Sequence, residues 1–65
     1  MKTLFVSVKE SKRKTIDLDF RPVVGDEIVI SGKVIKIYKT VIVSDESITW
    51  AHKVPAGVQL VAFGK

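Results

Sequence analysis

The sequence contains no cysteine, and His52 is its only histidine. Without cysteine there is no disulfide framework, no thiolate-bound zinc and no thiol nucleophile. A serine nucleophile needs a base within hydrogen-bond reach, and none of the serines stands in a nucleophile motif. We therefore expect a protein that is not an enzyme and uses no metal or cofactor, with His52 on the surface or in a loop.

Long hydrophobic runs are also missing. No apolar stretch approaches the ~18 residues of a transmembrane helix. A charged segment follows the short apolar N-terminal run, where a signal peptide would carry its cleavage site. We expect a cytoplasmic protein (in the host cytoplasm if it is viral) with no membrane partner. Its 65 residues leave room for one domain, residues 1–65, with a globular hydrophobic fraction of 46%.

Charge is the most uneven property of the chain. Eleven lysines and arginines stand against seven acidic residues, which gives a net charge of +4. A basic balance raises the expectation of a polyanionic partner. The same charge also lies in the range that simply keeps a small domain soluble. Charge alone therefore leaves both interpretations open.

Apolar residues that alternate along the chain predict strands. The predicted strands cover residues 3–8, 15–20, 27–30, 33–38, 41–43 and 58–63. The first two form a hairpin around a charged loop, residues 9–14. Ser31-Gly32 separates the third and fourth strands and predicts a tight hairpin, since glycine supplies the positive φ that such turns require.

Two segments are ambiguous. Residues 38–40 contain neither glycine nor proline, so they form either a turn or a bend in one long strand. We expect a turn, because an unbroken strand would exceed the usual length in so small a domain. Residues 45–52 fit a short helical turn after a polar cap or a strand, and their β-branched and aromatic residues favour the strand.

Several short strands and no long helix predict an all-β fold. A small sheet with exposed edges is hazardous unless it curls on itself. We expect a five- to six-stranded, strongly bent antiparallel barrel. Residues 22–30 (PVVGDEIVI), followed by residues 32–37 (GKVIKI), resemble small Src-homology-3-like barrels, where a Gly-Asp turn opens one strand and a Gly-Lys turn the next. Ribosomal and transcription-factor barrels of the KOW type are similar, as are small bacterial and phage accessory proteins. The resemblance implies a fold and no catalytic or binding residue.

The first candidate site is the basic segment at the expected tip of the first hairpin. It comprises Lys9, Lys12, Arg13 and Lys14, with only Glu10 opposing them. As a mobile cationic finger it would contact the phosphates of a nucleic acid by charge neutralisation, or bind another partner. The alternative is a solvated loop that discourages aggregation at the sheet edge. Asp17 and Asp19 share one strand face, and we interpret them as solvated residues rather than a metal or acid–base pair.

The second candidate site groups Lys33, Lys36 and Lys39 near Tyr38. Lys36 and Tyr38 share a face of the predicted strand. An exposed aromatic ring beside lysines is how small barrels hold single-stranded nucleic acid. We expect Trp50 and Phe63 in the core, because a small barrel needs large side chains to fill it. The position of Tyr38 stays open.

Three classes of function follow. The first is a protein-interaction module, such as an accessory or inhibitor protein of the kind that phages encode. The second is a nucleic-acid-binding barrel that uses the basic hairpin. The third is a homo-oligomer assembled through a sheet edge. We rank the first slightly ahead, because the net charge is modest and the acidic face of the second strand would repel phosphate.

Overall fold

The computed structural model describes residues 1–45, 50 and 53–65. Its five strands are β1 (Lys2–Ser7), β2 (Lys12–Asp17), β3 (Glu27–Ile30), β4 (Lys33–Ile42) and β5 (Leu60–Gly64). They form one strongly curled sheet in the order β2-β1-β5-β4-β3. The expected small, bent all-β fold is therefore confirmed, as a half-barrel with β2 and β3 at its two edges.

The strand directions depart from the expectation at one pair. β1 with β2, β3 with β4 and β4 with β5 are antiparallel. β1 and β5 pair in parallel, so the sheet is mixed rather than antiparallel throughout. Alternation locates a strand in the sequence but carries no information about its direction beside a distant neighbour.

Strands β1 and β5 are buried on both faces. On one face, which we call the outer face, Leu4 and Val61 pack against Val54 and Val58 of the segment that precedes β5. On the other, the inner face, Phe5 of β1 belongs to one apolar cluster with Ile30 of β3. A flat sheet would hold β1 and β3 roughly 14 Å apart, which is three strand spacings of about 4.8 Å. The shared cluster therefore requires the curl.

Strand β4 runs without interruption through the expected turn, so the predicted turn at residues 38–40 is wrong. The register against β5 shifts between Ile37 and Lys39, which marks a β-bulge at Tyr38. A bulge adds one residue to a strand and bends it. The chain therefore changes direction here without leaving the sheet, and needs neither glycine nor proline. Of the two alternatives, one long bent strand is the correct one.

The two hairpins form as expected, but the strand boundaries of the first hairpin differ from the prediction. Ser31 and Gly32 have φ values of +53° and +78°, the two positive values that a type I′ turn requires. In the first hairpin, residues 12–14 belong to β2 instead of the loop, and β2 ends at Asp17 rather than at residue 20. Residues 12–14 lie in an edge strand and bury no apolar face, so the alternation of apolar residues did not reveal that they belong to β2.

The end of the chain and the aromatic residues bring further corrections. Strand β5 begins two residues later than expected and includes Gly64. Trp50 is 82% exposed, so its assignment to the core is wrong. Phe63 is half-buried against the outer cluster, and Tyr38 is 41% exposed. His52 and most of the ambiguous segment 45–52 lie outside the described residues. Within the described chain, no helix has the length and apolar character to cross a bilayer.

Gly64 generates a test of this packing. A Cβ at this position would overlap the γ2 methyl of Ile35 and press on the Lys36 carbonyl oxygen. We expect Gly64→Ala to lower the free energy of unfolding by about 2 kcal/mol, the usual cost of overpacking. Urea denaturation of the single variants and of Gly64→Ala/Ile35→Ala measures the coupling between them. The double variant should lose less stability than the sum of its parts, and strict additivity would contradict the contact.

Candidate partner-binding cleft

The two edges of the half-barrel face each other across a cleft with a volume of about 240 Å³. We call it the edge cleft. Its floor is apolar and is made by Phe5, Ile30 and Ile35. The remaining lining residues are polar or charged: Ser7, Glu10, Lys12, Arg13, Lys14, Ser31 and Lys33. The cleft therefore combines an apolar bottom with a charged rim.

The strand register explains why lysines stand over this floor. Lys14 is paired with Phe5, and Lys12 with Ser7. Directly opposed residues of antiparallel strands project from the same face, so both lysines share the inner face with Phe5. Lys33 follows the second hairpin turn and reaches the cleft from the other edge. Three lysines from two hairpins thus meet around one opening.

Side chains, not backbone hydrogen bonds, bridge the two edges. The Lys33 ammonium donates to Glu10 Oε1 at 2.6 Å, and the Lys14 ammonium to the Ser31 hydroxyl at 3.4 Å. Lys12 Nζ lies 3.9 Å from Glu10 Oε2. Among the described residues, Glu10 is the single carboxylate that lines the rim, so their positive charge is in excess there.

The charges around Glu10 affect its ionisation. The hydrogen bond from Lys33 lowers the pKa of the Glu10 carboxyl below its ordinary value of 4.5. Desolvation opposes this effect, and the charges of Lys33, Lys12 and Lys9 each add a smaller lowering. Glu10 is therefore fully ionised at neutral pH. The bridge across the open edge is a charge-assisted hydrogen bond, the stronger kind.

The other members of the basic segment do not act together. Lys9 lies exposed in the turn before β2. Arg13 borders the cleft, but its guanidinium donates to the Lys53 carbonyl at 3.1 Å, beside Val54 of the outer cluster. Only Lys12 and Lys14 of this segment belong to the inner face. The expected mobile finger is thus a strand whose cations divide between two faces.

The structure also divides the second basic set. Lys33 joins the edge cleft, whereas Lys36 and Tyr38 alternate with inward-facing Ile35 and Ile37 and so project from the outer face. The residues around Tyr38 are Lys36, Lys39, Phe63 and Lys65, and with it they form what we call the aromatic–lysine surface. The cations near Lys14 and those near Tyr38 therefore make two separate surfaces.

Sequence reasoning missed the cleft floor and Ser31. Because the hairpin register sets Phe5 opposite Lys14, that pair could have been found from the turn position alone. The approach of Ile30 and Ile35 depends on the curl and has no local signal.

Asp17 forms an ion pair with the α-ammonium of Met1, with 3.2 Å between its Oδ1 and the nitrogen, and takes no part in the cleft. Among the residues that the structure describes, no three His, Asp or Glu side chains are placed to hold a metal ion.

No protein-family model, curated protein or solved structure matches this chain.

The Glu10–Lys33 bridge predicts a pH dependence of stability. A carboxylate whose pKa is lowered by folding stabilises the folded state above its unfolded pKa, and this contribution is lost as the pH falls through the folded pKa. We expect Glu10→Gln to unfold at lower urea concentration than the wild type at pH 7. The difference should stay constant down to the ordinary glutamate pKa of 4.5 and shrink below it.

Asp19→Asn is the matched control, since Asp19 is an exposed carboxylate outside the cleft. It should leave the midpoint at pH 7 close to that of the wild type. A midpoint for Glu10→Gln equal to the wild type at pH 7 would contradict a bridge between the hairpins.

Proposed function

We propose that the protein is a non-enzymatic binding module that recognises an acidic, partly apolar segment of a partner protein in the edge cleft. The observation that supports this best is the position of Lys12, Lys14 and Lys33 around a floor made of apolar side chains. Carboxylates of the partner would pair with the lysines while a neighbouring apolar side chain rests on Phe5.

The size of the cleft favours a side chain over a larger ligand. Small-molecule sites usually enclose about 300–1,000 Å³, whereas this cleft has about 240 Å³. Such a volume accommodates one large apolar side chain. Protein interfaces concentrate their binding energy in anchors of this kind, with charged residues at the rim. An apolar floor would add nothing to the binding of a bare phosphate chain.

The charge of the β2 edge favours an acidic partner over a second copy of this chain. Lys12, Arg13 and Lys14 follow one another and are all exposed. Two such edges paired with each other would oppose like charges, which destabilises a sheet, and lysine on edge strands is a common protection against self-association. An acidic segment of a partner would instead be attracted to this edge, because its negative charges complement the lysines and arginine and accelerate association.

The proposal includes no chemical step, and it places the protein in the cytoplasm as an accessory protein. The lack of cysteine fits the reducing conditions of that compartment. The partner would supply an exposed acidic segment, and the module would bind it reversibly. Because the lysines of the rim are exposed, the binding should weaken with salt.

A fluorescein-labelled eight-residue peptide that alternates glutamate with leucine tests the proposal. We expect it to bind, with an anisotropy change that saturates. Lys12→Ala/Lys14→Ala/Lys33→Ala should weaken the binding by about tenfold or more, because each substitution removes a charge partner of the peptide. A peptide that alternates glutamate with serine should also bind more weakly, since it leaves the floor uncovered.

The matched control is Lys36→Ala/Lys39→Ala/Lys65→Ala, which removes the same charge from the aromatic–lysine surface. This variant should keep the affinity of the wild type within about threefold. Equal losses in both triple variants would show a response to net charge and refute the site. So would failure of the folded wild type to bind the peptide.

A further inference from the structure

A β-bulge builds a second surface on the outer face. In a bulge two residues of one strand lie opposite a single partner residue. Here the extra residue is Tyr38, and Lys39 next to it is paired with Phe63 of β5. The rings of Tyr38 and Phe63 lie with their centroids 6.5 Å apart and tilted by 48°. The bulge thus places the exposed ring of Tyr38 in contact with the half-buried ring of Phe63, which restricts its orientation.

Lysines surround these two rings. Lys65 Nζ lies 5.3 Å from the centroid of Tyr38, and Lys39 Nζ lies 5.6 Å from that of Phe63. Both distances are within the range of cation–π attraction, up to about 6 Å. Lys36 completes the group, because its N–H donates to the Lys65 oxygen at 3.3 Å and its own carbonyl accepts the Lys65 N–H at 3.1 Å.

The lysines of this group form no ion pair in the described part of the chain. None of the ion pairs formed there involves Lys36, Lys39 or Lys65. Glu27 stands opposite Lys36 in the ladder but makes no ion pair with it. The Lys65 backbone oxygen accepts the N–H of Lys36 in β4. Two ammonium groups, of Lys39 and Lys65, thus lie beside the rings, and Lys36 occupies the ladder position paired with Lys65, next to a Tyr38 ring that is 41% exposed.

We infer that the aromatic–lysine surface binds single-stranded nucleic acid. One unpaired base stacks on the exposed face of Tyr38, and Lys36, Lys39 and Lys65 contact the flanking phosphates. Lys65 now lies over the Tyr38 ring and would move aside to a phosphate when a base arrives. Base stacking on an aromatic side chain within a cationic groove is the general means of binding single strands without sequence preference.

Duplex and acidic peptide fit this surface less well than a single strand. A base in a duplex is already stacked and cannot cover Tyr38. An acidic peptide would use the lysines but leave the ring without a planar partner. The inference does not depend on the proposed function, because the two surfaces share no residue.

Anisotropy of a labelled ten-nucleotide oligothymidylate, titrated at about 50 mM and about 300 mM salt, tests the inference. We expect binding that Tyr38→Ala weakens by about tenfold and Tyr38→Phe preserves, since stacking needs the ring and not the hydroxyl. Lys36→Ala/Lys39→Ala/Lys65→Ala should weaken binding further. It should also reduce the slope of log affinity against log salt by about 0.7 for each phosphate that a lysine no longer neutralises.

Three results would overturn the inference. The first is equal affinity of the wild type and Tyr38→Ala, both shown to be folded by circular dichroism. The second is an equal or greater loss of affinity in Lys12→Ala/Lys14→Ala/Lys33→Ala, which carries the same charge change in the edge cleft. The third is equal binding of a duplex of the same length. Tyr38→Phe maintains the test if Tyr38→Ala fails to fold, because a loss of affinity in this folded variant would exclude stacking as the basis of binding.

Discussion

The parallel pairing of β1 with β5 is the constraint on which the rest of this molecule depends. Both strands are buried on two faces, with Leu4 and Val61 on one side and Phe5 and Ala62 on the other. In the described part of the chain all five strands belong to one sheet, and no second sheet covers either face. The segment before β5 covers the outer face, so the sheet must curl to cover the inner one. That curl brings the edge strands β2 and β3 toward each other and leaves them open.

The open edges then determine what the surface offers. Glu10 with Lys33, and Lys14 with Ser31, connect the hairpins through side chains, which a ligand displaces more easily than a backbone ladder. The bulge at Tyr38 creates a different kind of surface on the opposite face, where rings and lysines meet. The two proposals together describe a small adaptor that holds an acidic protein segment on one face and a single strand on the other. The two ligands would not compete for the same side chains, since the sites share no residue.

The sequence was informative where local chemistry determines the structure. Glycine after Ser31 specifies the tight turn, and alternation places β3 at its observed bounds. It was uninformative where the structure of a segment depends on pairing with a strand that is distant in the sequence. Lys12 to Lys14 lie in a strand because β1 offers a pairing edge, although nothing in their own pattern indicates it. Lys33 belongs with Lys12 and Lys14 because of the curl, whereas Lys36, three residues away, projects from the opposite face because side chains alternate along β4. Trp50 is exposed in a chain whose core is filled by aliphatic side chains and Phe5.

The central claim is that the curl makes one binding cleft from two hairpins that are distant in sequence. Amide chemical shifts of the ¹⁵N-labelled protein, followed during titration with the glutamate–leucine peptide, test it directly. The account predicts that the shifted amides fall in two separate segments, residues 5–14 and 30–35, and that they titrate with a single affinity. Shifts confined to one hairpin, or centred on residues 36–39 and 63–65, would contradict it.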